Sequence, residues 1–191
     1  MIHIFKTLTE EQKSIGRFIL KASIIFILWK IIYLQFAEPK RTLDKPLTNI
    51  TATATKGVLG LIHKNSKVNV VESYYPERMA YKENIFIDEK KIIGIADPCN
   101  ALELIVLHLA FFGCYPIESK RKAAKYLFFG ALLIFAINIF RCVVIAELNW
   151  NLHLGLSDFA HHYLFKIIIY IIVFLLWVQY VKKSSNQPKA V

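Results

Sequence analysis

No internal repeat, low-complexity tract, phosphate-cradling glycine loop or paired-cysteine metal spacing occurs in the 191 residues. Solenoids, nucleotide-loop enzymes and zinc fingers are thereby excluded. Acidic residues are scarce: 14 Asp and Glu stand against 24 Lys and Arg, giving a net charge of +10. That excess does not indicate nucleic acid, because the basic residues mostly flank apolar blocks, as contacts with anionic head groups and topology signals do. A small-residue cleavage site is also missing after the first apolar block. This block starts near Ile15, is too long for a signal-peptide core, and reads as an uncleaved anchor. What is present is apolar: 55 % of the chain is hydrophobic, crowded into a few runs that a soluble surface does not accommodate.

These runs predict an all-α integral membrane protein with about four transmembrane helices. The first, Ile15–Phe36, is interrupted by Lys21 and Lys30, which must snorkel or face protein. The others are Cys99–Ile117, Tyr126–Leu148 and His161–Val181. The chain thus divides into an N-terminal segment with its first span (1–36), a polar region (37–98), a three-helix membrane region (99–181) and a basic tail (182–191). In the polar region, LTNITATATKGVLGLIHK reads as a helix resting on the membrane surface. ENIFIDEKKIIGIAD reads as a small β-hairpin around a charged turn. The region is too small for much core of its own and is expected to pack over the membrane helices. The loop ESKRKAAK and the tail at Lys182–Lys183 are expected in the cytoplasm under the positive-inside tendency. The 37–98 region then lies outside, although its ten Lys and Arg work against translocation.

This topology has a geometric consequence. Cys99 begins a span about 21 residues before Lys120. Arg141 lies 16 residues beyond Lys125, about 24 Å of helix. His162 lies 20 residues before Lys182, about 30 Å of helix. All three are expected near the outer membrane face, on different helices, with their polar groups turned into the bundle. Cys99 follows Asp-Pro at a helix start, where backbone N–H groups and the helix dipole favour an anion. Cys114 and Cys142 read as packing residues, and a Cys99–Cys142 disulfide is the alternative in an oxidising compartment. Adjacent histidines point about 100° apart on a helix, so one of the pair faces the site; His162 is preferred, with His161 second. Glu103, one turn from Cys99, is expected either to hold Arg141 or to form a structural ion pair. His108 and Glu147 read as packing or interfacial residues.

Cys99-Asn100-Ala101-Leu102-Glu103, Asn138-Ile139-Phe140-Arg141 and the His161–His162 pair resemble motifs of the exosortase/archaeosortase family of membrane-embedded sorting transpeptidases. The resemblance covers roughly residues 95–181. Ala101 stands where the family motif typically has glycine. Many members have more spans, so this chain would be a short form. The resemblance implies a cysteine protease-transpeptidase in the cell membrane, active on the extracytoplasmic face. Cys99 would be the nucleophile, His162 or His161 the base and Arg141 the oxyanion stabiliser, with Glu103 and Asn138 supporting them and no cofactor. Its substrates would be exported proteins with a C-terminal motif, one hydrophobic helix and a basic tail. A surface glycan or lipid would be the acceptor, and simple hydrolysis would use the same residues. A non-catalytic scaffold of a polysaccharide or secretion assembly, and a redox or haem-related membrane protein, are the rival readings.

Overall fold

The computed structural model describes residues 10–114 and 120–185. Helix α1 (Glu10–Ile32) continues into a π-helical turn at Tyr33–Ala37. Helix α2 (Asp44–Ile62) leads into three strands, β1 (Val68–Tyr75), β2 (Ala80–Ile87) and β3 (Lys90–Ala96). Helices α3 (Leu102–Cys114) and α4 (Lys120–Trp150) follow. The last helical run joins α5 (Leu154–Phe159), a π-helical turn at Ala160–Leu164, and α6 (Phe165–Ser185).

Three stretches, Gly16–Ala37, Lys120–Trp150 and Leu154–Lys182, are long and apolar enough to cross a membrane. Large apolar side chains such as Ile24, Leu28, Phe129, Phe140, Ile171 and Phe174 stand exposed along them, an arrangement that water penalises and lipid does not. The expected fourth span is shorter than the sequence suggests. Helix α3 has 13 residues, about 20 Å at the α-helical rise against a hydrocarbon core of about 30 Å. A 3₁₀ turn at Asp97–Cys99 and a left-handed residue at Ala101 delay its start to Leu102; Tyr115–Ile117, the end of the expected span, lie outside the described residues. Two connections are likewise more helical than expected. The basic stretch before Tyr126 is helix from Lys120 onward, and only residues 151–153 separate α4 from α5.

The expected hairpin is present as β2 and β3, joined by Asp88 and Glu89 at φ 47° and 68°. Two successive positive φ values are the geometry that matches strand twist in a two-residue turn. Strand β1, which the sequence reading did not foresee, pairs antiparallel with β2 and makes a sheet of order β1-β2-β3. None of its side chains is buried and half are exposed, so VNVVESYY carries little apolar alternation to betray it.

Helix α2 buries Asp44, Thr48, Thr51, Ala52, Thr55 and Leu59, a single face at helical spacing. This face meets the sheet and α4. A threonine stripe is tolerable there because the hydroxyls are satisfied: Thr51 donates to the Leu47 carbonyl at 2.8 Å and Thr55 to that of Thr51 at 2.7 Å. The resulting core joins Ala52 and Leu59 of α2, Ile85 and Ile95 of the sheet, and Val143 and Ala146 of α4. The 37–98 region thus packs over a membrane helix, as expected. Helix α4, at 31 residues, is about 46 Å long and exceeds the bilayer core; its C-terminal third carries the sheet. His63 Nε2 to Glu147 Oε1, at 2.7 Å, ties the end of α2 to the same helix.

Deeper in the bundle, His108 is fully buried between Trp177 Nε1, which donates to its Nδ1 at 3.2 Å, and the Tyr126 carbonyl, 3.3 Å from its Nε2. A Cβ at Gly130 would collide with this imidazole, so glycine is what lets α3 and α4 close around it.

In the sheet, Glu83 is buried on β2 opposite Glu72. Burial, then the Glu72 charge, push its carboxyl above the usual range. A raised carboxyl pKa means that the folded state binds the proton more tightly than the unfolded one. Its stabilising contribution is therefore full below the ordinary glutamate pKa and is lost as pH rises through the raised value. Glu83→Gln is expected to raise the melting midpoint of detergent-purified protein at neutral pH and to leave it unchanged near pH 4. An equal shift at both pH values would contradict this assignment.

Candidate functional site

The site is built on residues 97–101, a tight turn ahead of α3. Cys99 is half-buried, and its Sγ lies 4.0 Å from His161 Nε2. Asn138 of α4, itself 1 % exposed, donates from Nδ2 to the Cys99 carbonyl at 2.8 Å. Arg141, one turn further along α4, lines a cavity of about 200 Å³ together with Asn138 and with Pro98 and Ala101, which flank the cysteine. Its Nε is buried and has no hydrogen-bond partner among the described residues. The Arg141 charge is within electrostatic reach of His161. The rest of the wall mixes apolar side chains from α1, α3, α4 and α6, among them Phe26, Leu104, Ile137 and Ile169, with the charged Glu103 and Lys166. All three cysteines are free, so the alternative Cys99–Cys142 disulfide is absent. Cys142 is buried against the sheet, in the packing role expected of it.

The histidine pair divides the opposite way to the preference drawn from sequence. His161 faces Cys99, whereas His162 is exposed, with Nδ1 3.0 Å from Asp158 Oδ1. The reason is local. Both residues sit in the π-helical turn at Ala160–Leu164, whose extra residue per turn shifts the facing residue relative to a straight α-helix. Glu103 also departs from one expectation. Its carboxylate pairs with Lys30 of α1 and not with Arg141, although both Glu103 and Arg141 line the same cavity. This pair supplies the protein partner that an apolar span demands of Lys30. Among the described residues, no group of three His, Cys, Asp or Glu side chains could hold a metal ion.

No family model, curated protein or solved structure matches the chain. The geometry of the site has therefore to carry the functional argument.

That geometry includes a polar network the sequence reading missed. Arg41 grips Asp97 with two bonds, Nε to Oδ2 at 2.6 Å and Nη2 to Oδ1 at 2.9 Å. Its Nη1 also reaches Glu72 at 2.8 Å, and its guanidinium lies 4.2 Å from the Tyr81 ring centroid. Thr48 donates to Asp97 Oδ1 at 2.9 Å. Asn100, 1 % exposed, donates from Nδ2 to Asp44 at 3.0 Å and to Thr48 at 3.3 Å. Its own Oδ1 accepts from the Leu102 N–H at 2.9 Å, capping α3. Tyr33 completes the set by donating to Asp44 at 2.7 Å. The residues on both sides of Cys99 are thus anchored to α1, α2 and the sheet, while its carbonyl is anchored to α4. The bond to Asp97, then that to Glu72, hold the Arg41 guanidinium firmly protonated, outweighing its partial burial. One signal was available in sequence: Asp44, Thr48, Thr51 and Thr55 repeat a polar residue at helical spacing, the mark of a buried polar face seeking partners.

Ala101 adopts φ 66° and is 6 % exposed. A non-glycine residue in the left-handed region is strained by roughly 1–2 kcal/mol. Ala101→Gly is accordingly expected to stabilise the protein by about 1 kcal/mol, after allowance for the extra freedom of glycine in the unfolded chain. Chemical denaturation in detergent would measure this, and a destabilised variant would refute the strain.

Proposed function

We propose that the chain is a membrane-embedded cysteine protease-transpeptidase that cuts exported proteins ahead of a C-terminal hydrophobic helix. The observation that carries this reading is the Cys99 thiol beside His161, next to a cavity edged by a buried Arg141 nitrogen without a partner among the described residues. In the proposed reaction His161 takes the thiol proton and the Cys99 sulfur attacks the scissile carbonyl carbon. Arg141, permanently charged, stabilises the oxyanion that forms. The C–N bond then breaks, the amine leaves with the proton held by His161, and a thioester remains. Water or an acceptor nucleophile, such as a surface glycan or lipid, releases the acyl group and restores the thiol.

The three apolar helices support a multi-pass membrane location. With α3 as a fourth, partial crossing, the basic residues at Lys120–Lys125 and Lys182 favour a cytoplasmic position for those ends. The site then belongs to the extracytoplasmic surface. A substrate whose motif precedes a hydrophobic helix and a basic tail presents its scissile bond at that depth.

The test is processing of a co-expressed exported reporter bearing such a tail. Wild type and His162→Gln are expected to process it. Cys99→Ala and His161→Gln should accumulate full-length reporter at normal membrane levels of the enzyme. Cleavage by Cys99→Ala would leave the non-catalytic scaffold as the better account; loss with His162→Gln and not His161→Gln would reassign the base.

A further inference from the structure

A second groove, of about 450 Å³, meets the site from the direction of the sheet. One wall is Lys91–Gly94 of β3; the other carries Leu154, Asp158 and His161. Both walls lead to the thiol. Strand β3 passes through Ala96 directly into Asp97-Pro98-Cys99, and α5 runs toward His161, 4.0 Å from Cys99 Sγ. Strand β3 is also an edge: in the order β1-β2-β3, no described strand lies beyond it.

The hydrogen-bonding groups of this edge can be read from its register. Antiparallel pairs alternate between those that bond each other and those whose N–H and C=O groups face away. Counting from the pair Ile87–Lys90 that closes the turn, with Ile92 as the residue added by the bulge, Gly94 (opposite Asn84) and Ala96 (opposite Lys82) fall on the outward-facing pairs. One bond shows that the edge accepts partners from this side. Asn149 Nδ2, from α4, which also lines the groove, donates to the Ile92 carbonyl at 2.9 Å.

We infer that the β3 edge binds the extended segment of the substrate polypeptide immediately ahead of its scissile bond, as an added strand parallel to β3. The inference rests on the proposed thiol chemistry, since it is His161, lining the groove 4.0 Å from Cys99 Sγ, that names the occupant. A peptide laid N-to-C toward the thiol runs in the same sense as β3. Its main chain meets the Gly94 and Ala96 groups, and its scissile carbonyl arrives between Cys99 and His161. Recognition of this segment is then dominated by the backbone, so the enzyme tolerates varied side chains there. The hydrophobic helix that follows the cut continues past the cavity at Arg141.

The test uses alkylating probes on the full-length protein in detergent. Iodoacetamide reports the reactivity of each thiol, and acetyl-Val-Ala-Val-Ala chloromethyl ketone reports the groove as well. The peptidyl reagent is expected to label Cys99 in preference to Cys114. Methylating one of the two peptide nitrogens that face β3 should slow labelling up to about tenfold, the loss of a single hydrogen bond. Methylating the neighbouring nitrogen, which faces away, should not. Leu154→Trp, which narrows the groove, should slow the peptidyl reagent and leave iodoacetamide labelling unchanged. Equal rates for both methylated reagents, or indifference to Leu154→Trp, would overturn strand addition and leave the thiol site standing. Failure of either reagent to distinguish Cys99 from Cys114 would overturn the thiol reading and the docking inference with it.

Discussion

Replacing Arg141 with methionine is expected to lower reporter processing about 10²–10³-fold, the usual effect of removing an oxyanion donor. Protein stability should stay level or rise. The two halves of this result come from the same atom. Arg141 Nε is buried without a partner among the described residues, and an unsatisfied donor of this kind costs on the order of 1–3 kcal/mol, more when it belongs to a charged group. Methionine has similar reach, no donor and no charge, so it relieves that cost while filling the space. A residue whose role was structural would behave oppositely: its loss would lower the melting midpoint and leave surviving molecules active. Arg141→Lys separates charge from shape. It keeps the cation but not the planar fork, and should fall between wild type and methionine in rate. Thermal melting and processing measured on the same preparations decide the matter. A destabilised Arg141→Met would withdraw the oxyanion assignment.

The second large effect is expected at Asp97, which never touches the reacting atoms. Asp97→Ala leaves Arg41, whose side chain is 14 % exposed, with Glu72 alone. It also strips Thr48 of its acceptor. Breaking one side of a buried ion pair costs roughly 3–5 kcal/mol because the remaining charge is stranded. Because Glu72 persists, a loss near 3 kcal/mol and a melting midpoint lower by roughly 10 °C are expected. Processing should fall with it, since Asp97 holds the turn from which Cys99 projects. Adding Arg41→Met to Asp97→Ala removes the stranded charge and should recover part of the stability but little of the activity. If the double variant were no more stable than Asp97→Ala, the ion pair would not be what anchors the turn.

The elements most legible in the sequence were those set by short-range pattern. Largely apolar runs from Ile15, Tyr126 and His161 mark the long helices that span Gly16–Ala37, Lys120–Trp150 and Leu154–Lys182, because nothing but lipid or a bundle interior accepts such faces. The hairpin around Asp88–Glu89 was legible from two β-rich runs and a charged turn. Counting residues from the basic helix ends brought Cys99, Arg141 and the histidines to one depth, and the structure does gather Cys99, Asn138 and His161. What stayed hidden depends on longer range or finer geometry. Glu103 finds Lys30, 73 residues away, and Arg41 finds Asp97, 56 residues away; no local spacing encodes either pair. The choice between His161 and His162 rests on the pitch of a single turn, which apolar periodicity does not record. Helix α3 reads as a full span because its composition is mostly apolar, yet the chain geometry at Asp97–Ala101 sets its first residue.

The turn at Ala160–Leu164 uncouples two faces of one helix. A π-helical turn inside a helix is what a single added residue leaves behind: the strand of chain beyond it is rotated against the part before by roughly a quarter-circle or slightly more. One continuous helix can thus answer to two masters. Its first part is phased to bring His161 to Cys99, and its second part to bring Ile169, Val173 and Trp177 onto the neighbouring helices. Drift in the lipid-facing half need not disturb the histidine, and refinement of the histidine need not repack the bundle. A one-residue deletion in this turn would restore an ordinary helix and lock the two phases together again, so the turn is the position at which the face toward Cys99 and the face toward the bundle are separately adjustable.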